Sequence, residues 1–178
     1  MRRVTRLPLR VADHQGVAAA QAGFGMLGIA LVLFVLSAVF ALVWPRWQHA
    51  LRDSRARATA AALKQFDARF EKYASEHGDW PAGTPVPGAY PPGMERSLAN
   101  TPWGKPTPIG GRYVWLTNTY EHGERMRACI AIVSVPGDRV SDDQRQLTAL
   151  DHAVDDGNFR VGRLRLGFRN RPVYVLEH

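Results

Sequence analysis

The stretch AGFGMLGIALVLFVLSAVFALVWP, residues 22–45, contains no charged side chain and is followed directly by Arg46. A secretory signal sequence has an apolar core of about 7–15 residues, which is much shorter than this stretch. At 1.5 Å per residue, a helix from Gly23 to Trp44 is roughly 30 Å long, the thickness of the hydrocarbon layer of a bilayer. The sequence therefore predicts a transmembrane helix over residues 24–44.

The net charge of +7 is concentrated on both sides of this stretch. Residues 1–23 carry four arginines and one aspartate, and residues 46–75 carry seven lysines and arginines against three acidic residues. Residues 76–178 hold twelve side chains of each sign. Cationic side chains beside a membrane span interact with lipid head groups, at roughly 1 kcal/mol each. The distribution favours membrane lipid as the partner of the basic residues and argues against nucleic acid.

Residues 45–78 show the periodicity of an amphipathic helix that continues the apolar stretch. Gly78, followed by Trp80 and Pro81, is expected to end this helix. The predicted apolar face consists of Leu51, Ala58, Ala62, Phe66, Phe70 and Tyr73. Such a face needs an apolar sheet to cover it.

Residues 79–178 form the predicted globular domain, which begins with a loop over residues 79–111. Eight of the twelve prolines fall in this loop, and its aromatic residues predict that it packs over the core. Two hairpins are predicted after it, and Ser141 and Gln144 between them match a capping box that opens a short helix. The predicted strands cover residues 112–117, 127–135, 159–166 and 172–176. The fold class is therefore α+β, with a long N-terminal helix packed on an antiparallel sheet of three to five strands.

One group of oxygen-bearing side chains surrounds the turn that follows the short helix. Its members are Asp151, Asp155, Asp156 and Asn158. Calcium takes six to eight oxygen ligands, so these residues are candidate ligands of a calcium ion. The same residue types are also ordinary turn formers. Both interpretations, a calcium site and a turn alone, stay open at this point.

The sequence offers no catalytic motif. It has no phosphate-binding loop and no Gly-x-Ser-x-Gly turn, and its six histidines lack zinc-ligand spacing. Cys129 is the single cysteine and lies among apolar residues in a predicted strand, which favours a place in the core. We therefore expect no enzymatic activity and no cofactor other than calcium.

Several features of the chain match the pattern of one family. A basic leader ends in Gly23-Phe24, an apolar helix begins at Phe24, and Pro45 follows 21 residues later. The amphipathic extension ends in FEKYASEHGDWP, residues 70–81, where a tyrosine, polar residues, a glycine, an aromatic residue and a proline follow in order. In this architecture the chain resembles type IV pilins and the pseudopilins of type II secretion systems. The resemblance covers the whole chain and implies a pilin-like fold.

The resemblance also implies a maturation step and a location. A prepilin peptidase in the inner membrane would cut the leader, residues 1–23, after Gly23 and methylate the new amino terminus at Phe24. The mature chain would be a single-pass inner-membrane protein with a periplasmic globular domain. Its partners would be the peptidase, the inner-membrane assembly platform, and other pilins or pseudopilins that pack against the N-terminal helix in a filament.

One position departs from the family pattern. The family usually has glutamate at the fifth mature position, where this chain has Gly28. A carboxylate within the membrane costs about 2.5–3.5 kcal/mol, so it is retained only for a partner. Its absence, which the resemblance associates with one class of minor pseudopilin at the filament tip, favours a minor subunit. Two alternatives stay open: an uncleaved single-pass envelope protein with a periplasmic interaction domain, and a DNA-binding competence-type minor pilin.

Overall fold

The computed structural model describes residues 22–121 and 123–178. The predicted leader, residues 1–23, therefore lies almost entirely outside the described residues. Helix α1 spans Ala22–His77, 56 residues, and includes Pro45. The chain divides into two compact units, Met1–Arg46 and Trp47–His178. In the first unit, the described residues are all part of α1.

The second unit combines the rest of α1 with a four-stranded antiparallel sheet, in the spatial order β1-β2-β4-β3. The strands are β1 (Arg112–Glu121), β2 (Glu124–Val133), β3 (Leu164–Leu166) and β4 (Pro172–Glu177). Two further helices are α2 (Glu95–Leu98) and α3 (Gln144–Val154). The predicted α+β layout, with a long N-terminal helix and three to five antiparallel strands, is thus confirmed.

Aromatic side chains form the contact between α1 and the sheet. The Phe70 ring stacks on Trp115 of β1, with 4.0 Å between ring centroids and 17° between planes. Phe66 meets Trp103 and Tyr113 edge to face, at centroid distances of 5.0 and 4.8 Å. All five side chains are fully buried. Edge-to-face and offset-stacked geometries are the favourable ones for aromatic pairs, so this cluster contributes more than its buried area alone.

The predicted apolar face of α1 is correct in its second half and wrong in its first. Leu51 is 41% exposed and Ala58 is exposed, although both were expected to be buried. The buried face instead begins at Ala56 and continues through Ala60 and Leu63 to the two phenylalanines. The steps of three or four residues follow the 3.6-residue period of a helix.

The loop over residues 79–111 packs on the core, as predicted. Its side chains Met94, Leu98 and Trp103 are fully buried. The Trp103 indole Nε1 donates a hydrogen bond to the Ala89 carbonyl at 2.8 Å. The loop also covers the outer edge of β1, because the Thr84 backbone N–H donates to the Trp115 carbonyl at 2.9 Å.

The second predicted hairpin is shorter than expected. Residues 159–163 are turns and bends, so β3 begins only at Leu164. Gly162 lies in the turn before β3, where it has a left-handed φ of 95°. The Asp155 carboxylate fixes this turn by accepting a hydrogen bond from the Arg163 backbone N–H at 2.6 Å.

The start of α3 also differs from the prediction. Asp143 is the N-cap, and its side chain accepts a hydrogen bond from the Arg145 backbone N–H at 3.0 Å. The capping box that begins at Ser141 is therefore wrong by two residues. Asp143 has the extended backbone that an N-cap requires, with φ −70° and ψ 104°.

Replacement of Phe70 by alanine is expected to lower the free energy of unfolding of the globular unit by about 3–5 kcal/mol. The loss arises because the stack on Trp115 is replaced by a cavity that the neighbouring indoles cannot fill. Denaturant unfolding followed by tryptophan fluorescence measures this change. The matched control is Leu51→Ala on the exposed side of α1, which should change stability by less than about 0.5 kcal/mol. Equal effects of the two variants would contradict the central position of the aromatic cluster.

Candidate functional site

The apolar part of α1 exposes large hydrophobic side chains along its whole length. No residue from Gly25 to Arg46 is buried within the chain. By length and composition, α1 is the one helix in residues 22–121 and 123–178 that could cross a membrane. Its exposed large apolar side chains are Met26, Leu27, Ile29, Leu31, Val32, Leu33, Phe34, Val35, Leu36, Val39, Phe40, Leu42, Val43 and Trp44. A helix that is apolar on all sides is typical of a membrane span.

The predicted processing pair lies at the start of this helix. The backbones of Gly23 and Phe24 lie in the first turn of helix Ala22–His77. At Gly28, a Cβ atom built onto the backbone would meet no other atom within 4 Å. The glycine at this position is therefore not required by packing within the chain, and a glutamate would have room there.

The candidate metal ligands lie at the C-terminal end of α3 and in the turn after it. Asp151 is fully buried in the helix, and neither of its carboxylate oxygens has a hydrogen-bond partner. Burial raises the pKa of Asp151 to about 6, and the nearby charges of Asp156 and Asp155 act in the same direction, while His152 opposes them. A buried carboxyl group without partners favours its protonated form or a bound cation.

The other three candidate ligands serve the turn. Asp155 accepts a hydrogen bond from the Arg163 backbone N–H. Asp156 accepts one from the Asn158 backbone N–H at 2.9 Å, and Asn158 accepts one from the Arg160 backbone N–H at 3.2 Å. These are the local side-chain to backbone bonds by which Asp and Asn stabilise turns. The arrangement supports the turn interpretation directly, and it leaves Asp151 as the one member without a structural partner in this group.

The part of the chain that the structure describes contains no cluster of three or more His, Cys, Asp or Glu side chains placed to hold a metal ion. A calcium ion at Asp151 would therefore need Asp155 and Asp156 to leave their turn contacts. Gly157, which follows Asp156, has φ 91°, and a side chain there would collide with the His152 imidazole. The four residues are neighbours in space, but the observed geometry does not join them into a coordination shell.

A second buried acid, Asp67 on α1, was not predicted as a special residue. Its Oδ2 accepts hydrogen bonds from Arg163 Nη1 at 2.6 Å and from the Tyr174 hydroxyl at 2.9 Å. Burial, the largest cause, raises the pKa of Tyr174 to about 12, so this hydroxyl remains a donor at neutral pH. The register of Asp67 with Leu63 and Phe70 on one helix face is the sequence feature that indicates burial of this acid.

A third buried acid, Glu121, ends β1. One oxygen of its carboxylate forms an ion pair with Arg171. The other accepts a hydrogen bond from the Phe168 backbone N–H at 2.9 Å. Burial lowers the pKa of the Arg171 guanidinium. This carboxylate therefore ties the turn before β4 to the end of the first hairpin.

The even charge balance of residues 76–178 conceals a local basic segment. Residues 159–171 contain five arginines and no acidic residue. Three of them form ion pairs: Arg163 with Asp67, Arg165 with Glu124, and Arg171 with Glu121. The remaining two, Arg160 and Arg169, have exposed side chains and no acidic group within 4.0 Å among the described residues.

Cys129 is fully buried in β2, as predicted. Burial raises the pKa of its thiol to about 12, so at neutral pH it is not a nucleophile. The thiol packs with Ala131, Val173 and Val175 on one side of the sheet. Its role is that of a small apolar side chain.

Comparison with known proteins identified no relative of this chain. No protein-family model matches the sequence, and no curated protein matches it.

The raised pKa of Asp151 predicts a pH-dependent stability. Between pH 4 and pH 6 the folded state keeps a proton that the unfolded state releases, so stability falls as the pH rises through this window. Asp151→Asn removes this titration. The free energy of unfolding of the variant minus that of the native protein should therefore rise by on the order of 3 kcal/mol from pH 4 to pH 7.5. Denaturant unfolding at both pH values measures it. Asp142→Asn, at an exposed aspartate, serves as the control, and the same pH response in both variants would contradict the assignment.

Calcium, if it binds, should act on the same carboxylate. An ion that binds only the folded state, at a hundred times its dissociation constant, adds about 2.7 kcal/mol to the free energy of unfolding. Thermal melting at pH 7.5 with calcium, and then with a chelator, should show this difference in the native protein and lose it in Asp151→Asn. Equal melting temperatures in the native protein would leave Asp155, Asp156 and Asn158 as turn residues only.

Proposed function

We propose that this protein is a membrane-anchored structural subunit of the pseudopilin type, processed by a prepilin peptidase and recruited as a minor component into a filament of a type II secretion or type IV pilus system. The observation that carries the proposal is the composition of α1. One helix combines a charge-free, exposed apolar part with a later part that forms the core of an α+β domain.

The apolar part needs an environment other than water. Every large apolar side chain from Met26 to Trp44 is left exposed by the rest of the chain. Burial of apolar surface stabilises by roughly 25 cal/mol per Å². A bilayer satisfies this surface while the protein is an anchor. The same surface packs against neighbouring helices if the subunit is transferred into a filament, and this dual use supports the pseudopilin over a simple signal sequence.

The globular domain supports a structural role. Its buried acids Asp67 and Glu121 are engaged in ion pairs that hold the fold together, and its cysteine is inert. We therefore propose that the domain binds other proteins and does not catalyse a reaction. In this proposal it lies in the periplasm, and the helix lies in the inner membrane before assembly.

Gly28 supports a minor role within the filament. The site has space for a side chain, so its glycine is not explained by the packing of this chain. A subunit without the glutamate cannot offer that carboxylate to a neighbouring amino terminus. We propose that the subunit occupies a position where this contact is not needed, such as the filament tip.

The competing candidate is an uncleaved single-pass envelope protein with a periplasmic interaction domain. It is favoured by the same glycine and by the residues before the cut, 17–22, which carry no positive charge. The two candidates share the fold and the membrane span. They differ in whether the leader is removed, so the state of the amino terminus separates them.

The test is made at Gly23, in cells that contain the cognate peptidase. Native protein should have its amino terminus at Phe24, methylated, with a mass about 2.5 kDa below that of the full chain because 23 residues are removed. Gly23→Glu should block the cut, because the peptidase needs a small residue there. The span from Phe24 to Trp44 is unchanged, so the precursor should still insert and accumulate in the membrane. Mass spectrometry of the membrane fraction measures both forms.

The charge-matched control is Gln21→Glu, which adds the same carboxylate two residues earlier and should still be cut. An intact amino terminus in the native protein, beside an active peptidase, would replace the pseudopilin proposal by the single-pass anchor.

A further inference from the structure

The turn between β3 and β4 exposes the ring of Phe168 to solvent, and hydrogen bonds and an ion pair hold the turn in place. Phe168 is 66% exposed, and its backbone N–H is bound by the buried Glu121 carboxylate. The next two residues, Arg169 and Asn170, both have left-handed backbone conformations, with φ 58° and 56°. Residues other than glycine rarely adopt this backbone conformation. The turn therefore keeps a conformation that its own residues disfavour. The bonds of Glu121 to Phe168 and to Arg171 on either side of the turn hold it in place.

A groove of about 460 Å³ opens beside this turn. Met126, Phe159 and Leu166 contribute apolar lining. Its charged lining comprises Glu121 and Glu124, from the first hairpin, with Arg160 and Arg165. Gly167, which precedes Phe168 in the chain, is also part of the lining.

The charges around the groove are complementary to a carboxylate. Glu124 is neutralised by Arg165 and Glu121 by Arg171. Arg160 and Arg169 have no acidic partner within the described residues, and the Arg169 guanidinium lies 5.4 Å from the centroid of the Phe168 ring. The segment from Arg160 to Arg169 therefore offers two cations and an exposed ring next to the apolar groove.

From this combination we propose that the groove is a docking site for a protein segment that carries an acidic side chain next to an apolar one. The apolar side chain enters the groove at Met126 and Leu166, and the carboxylate pairs with Arg160 or Arg169. The lining holds as many glutamates as arginines, so it lacks the row of unpaired cations that a polyanion such as nucleic acid requires. The proposal goes beyond filament membership and holds equally for a single-pass envelope protein.

The test uses the full chain in detergent micelles with its methionine methyl groups labelled with ¹³C. Met126 reports on the groove, while Met94 is fully buried in the core and serves as an internal reference. The probe is the blocked peptide Gly-Glu-Leu-Phe-Glu-Gly, with its glutamine counterpart as the uncharged control. Addition of the acidic peptide should shift the Met126 resonance and leave Met94 in place. The glutamine peptide should bind at least fivefold more weakly.

Substitutions then assign the binding to the two arginines. Arg160→Gln combined with Arg169→Gln should weaken binding of the acidic peptide at least fivefold, whereas Arg139→Gln, at an exposed arginine outside the groove, should leave it unchanged. An unshifted Met94 resonance shows that each variant is folded. Equal binding of both peptides, no shift with either, or a larger shift with a DNA duplex or with anionic lipid in the micelle would overturn the proposal.

Discussion

The stack of Phe70 on Trp115 joins the two elements on which the rest of the domain depends. A single amphipathic helix cannot bury its apolar face alone, and a four-stranded sheet cannot bury both of its faces alone. The two rings, 4.0 Å apart, bring these faces together, and Trp80 and Trp103 of the loop pack around them. Because Trp115 Nε1 also donates to the Pro81 carbonyl at 2.9 Å, the same side chain fixes the start of the loop.

Much of this arrangement can be predicted from the sequence, because it depends on features that are local. The apolar stretch, the proline-rich loop and the alternation in the first hairpin each identify their element without reference to distant residues. The first half of the buried face of α1, which begins at Ala56, cannot be predicted in this way. Alanines occur at positions 50, 56, 58, 60, 61 and 62, on several sides of the helix, so their pattern does not fix its rotation. Only the larger side chains Leu63, Phe66 and Phe70 do so.

The candidate sites depend on contacts between residues far apart in the chain, and these are harder to predict. Asp67 is one of four acids on α1, and nothing near it indicates that Arg163, 96 residues later, will pair with it. Asp151 shows the opposite outcome for the same residue type. It is more deeply buried than Asp67, yet no hydrogen-bond donor reaches either of its carboxylate oxygens. Burial alone therefore does not tell a stabilising carboxylate from one that favours a proton or a cation, and only the position of the donors does.

The closed edge of β1 has a consequence for a protein kept at high local concentration. Exposed strand edges recruit further strands, and restriction to a two-dimensional layer brings neighbouring copies into frequent contact. Here the backbone N–H groups of Thr84 and Gly88 donate hydrogen bonds to the carbonyls of Trp115 and Tyr113 on the outer edge of β1. The other edge, β3, is only three residues long. The loop contacts on β1 and the shortness of β3 both reduce the template that the sheet offers to a further strand.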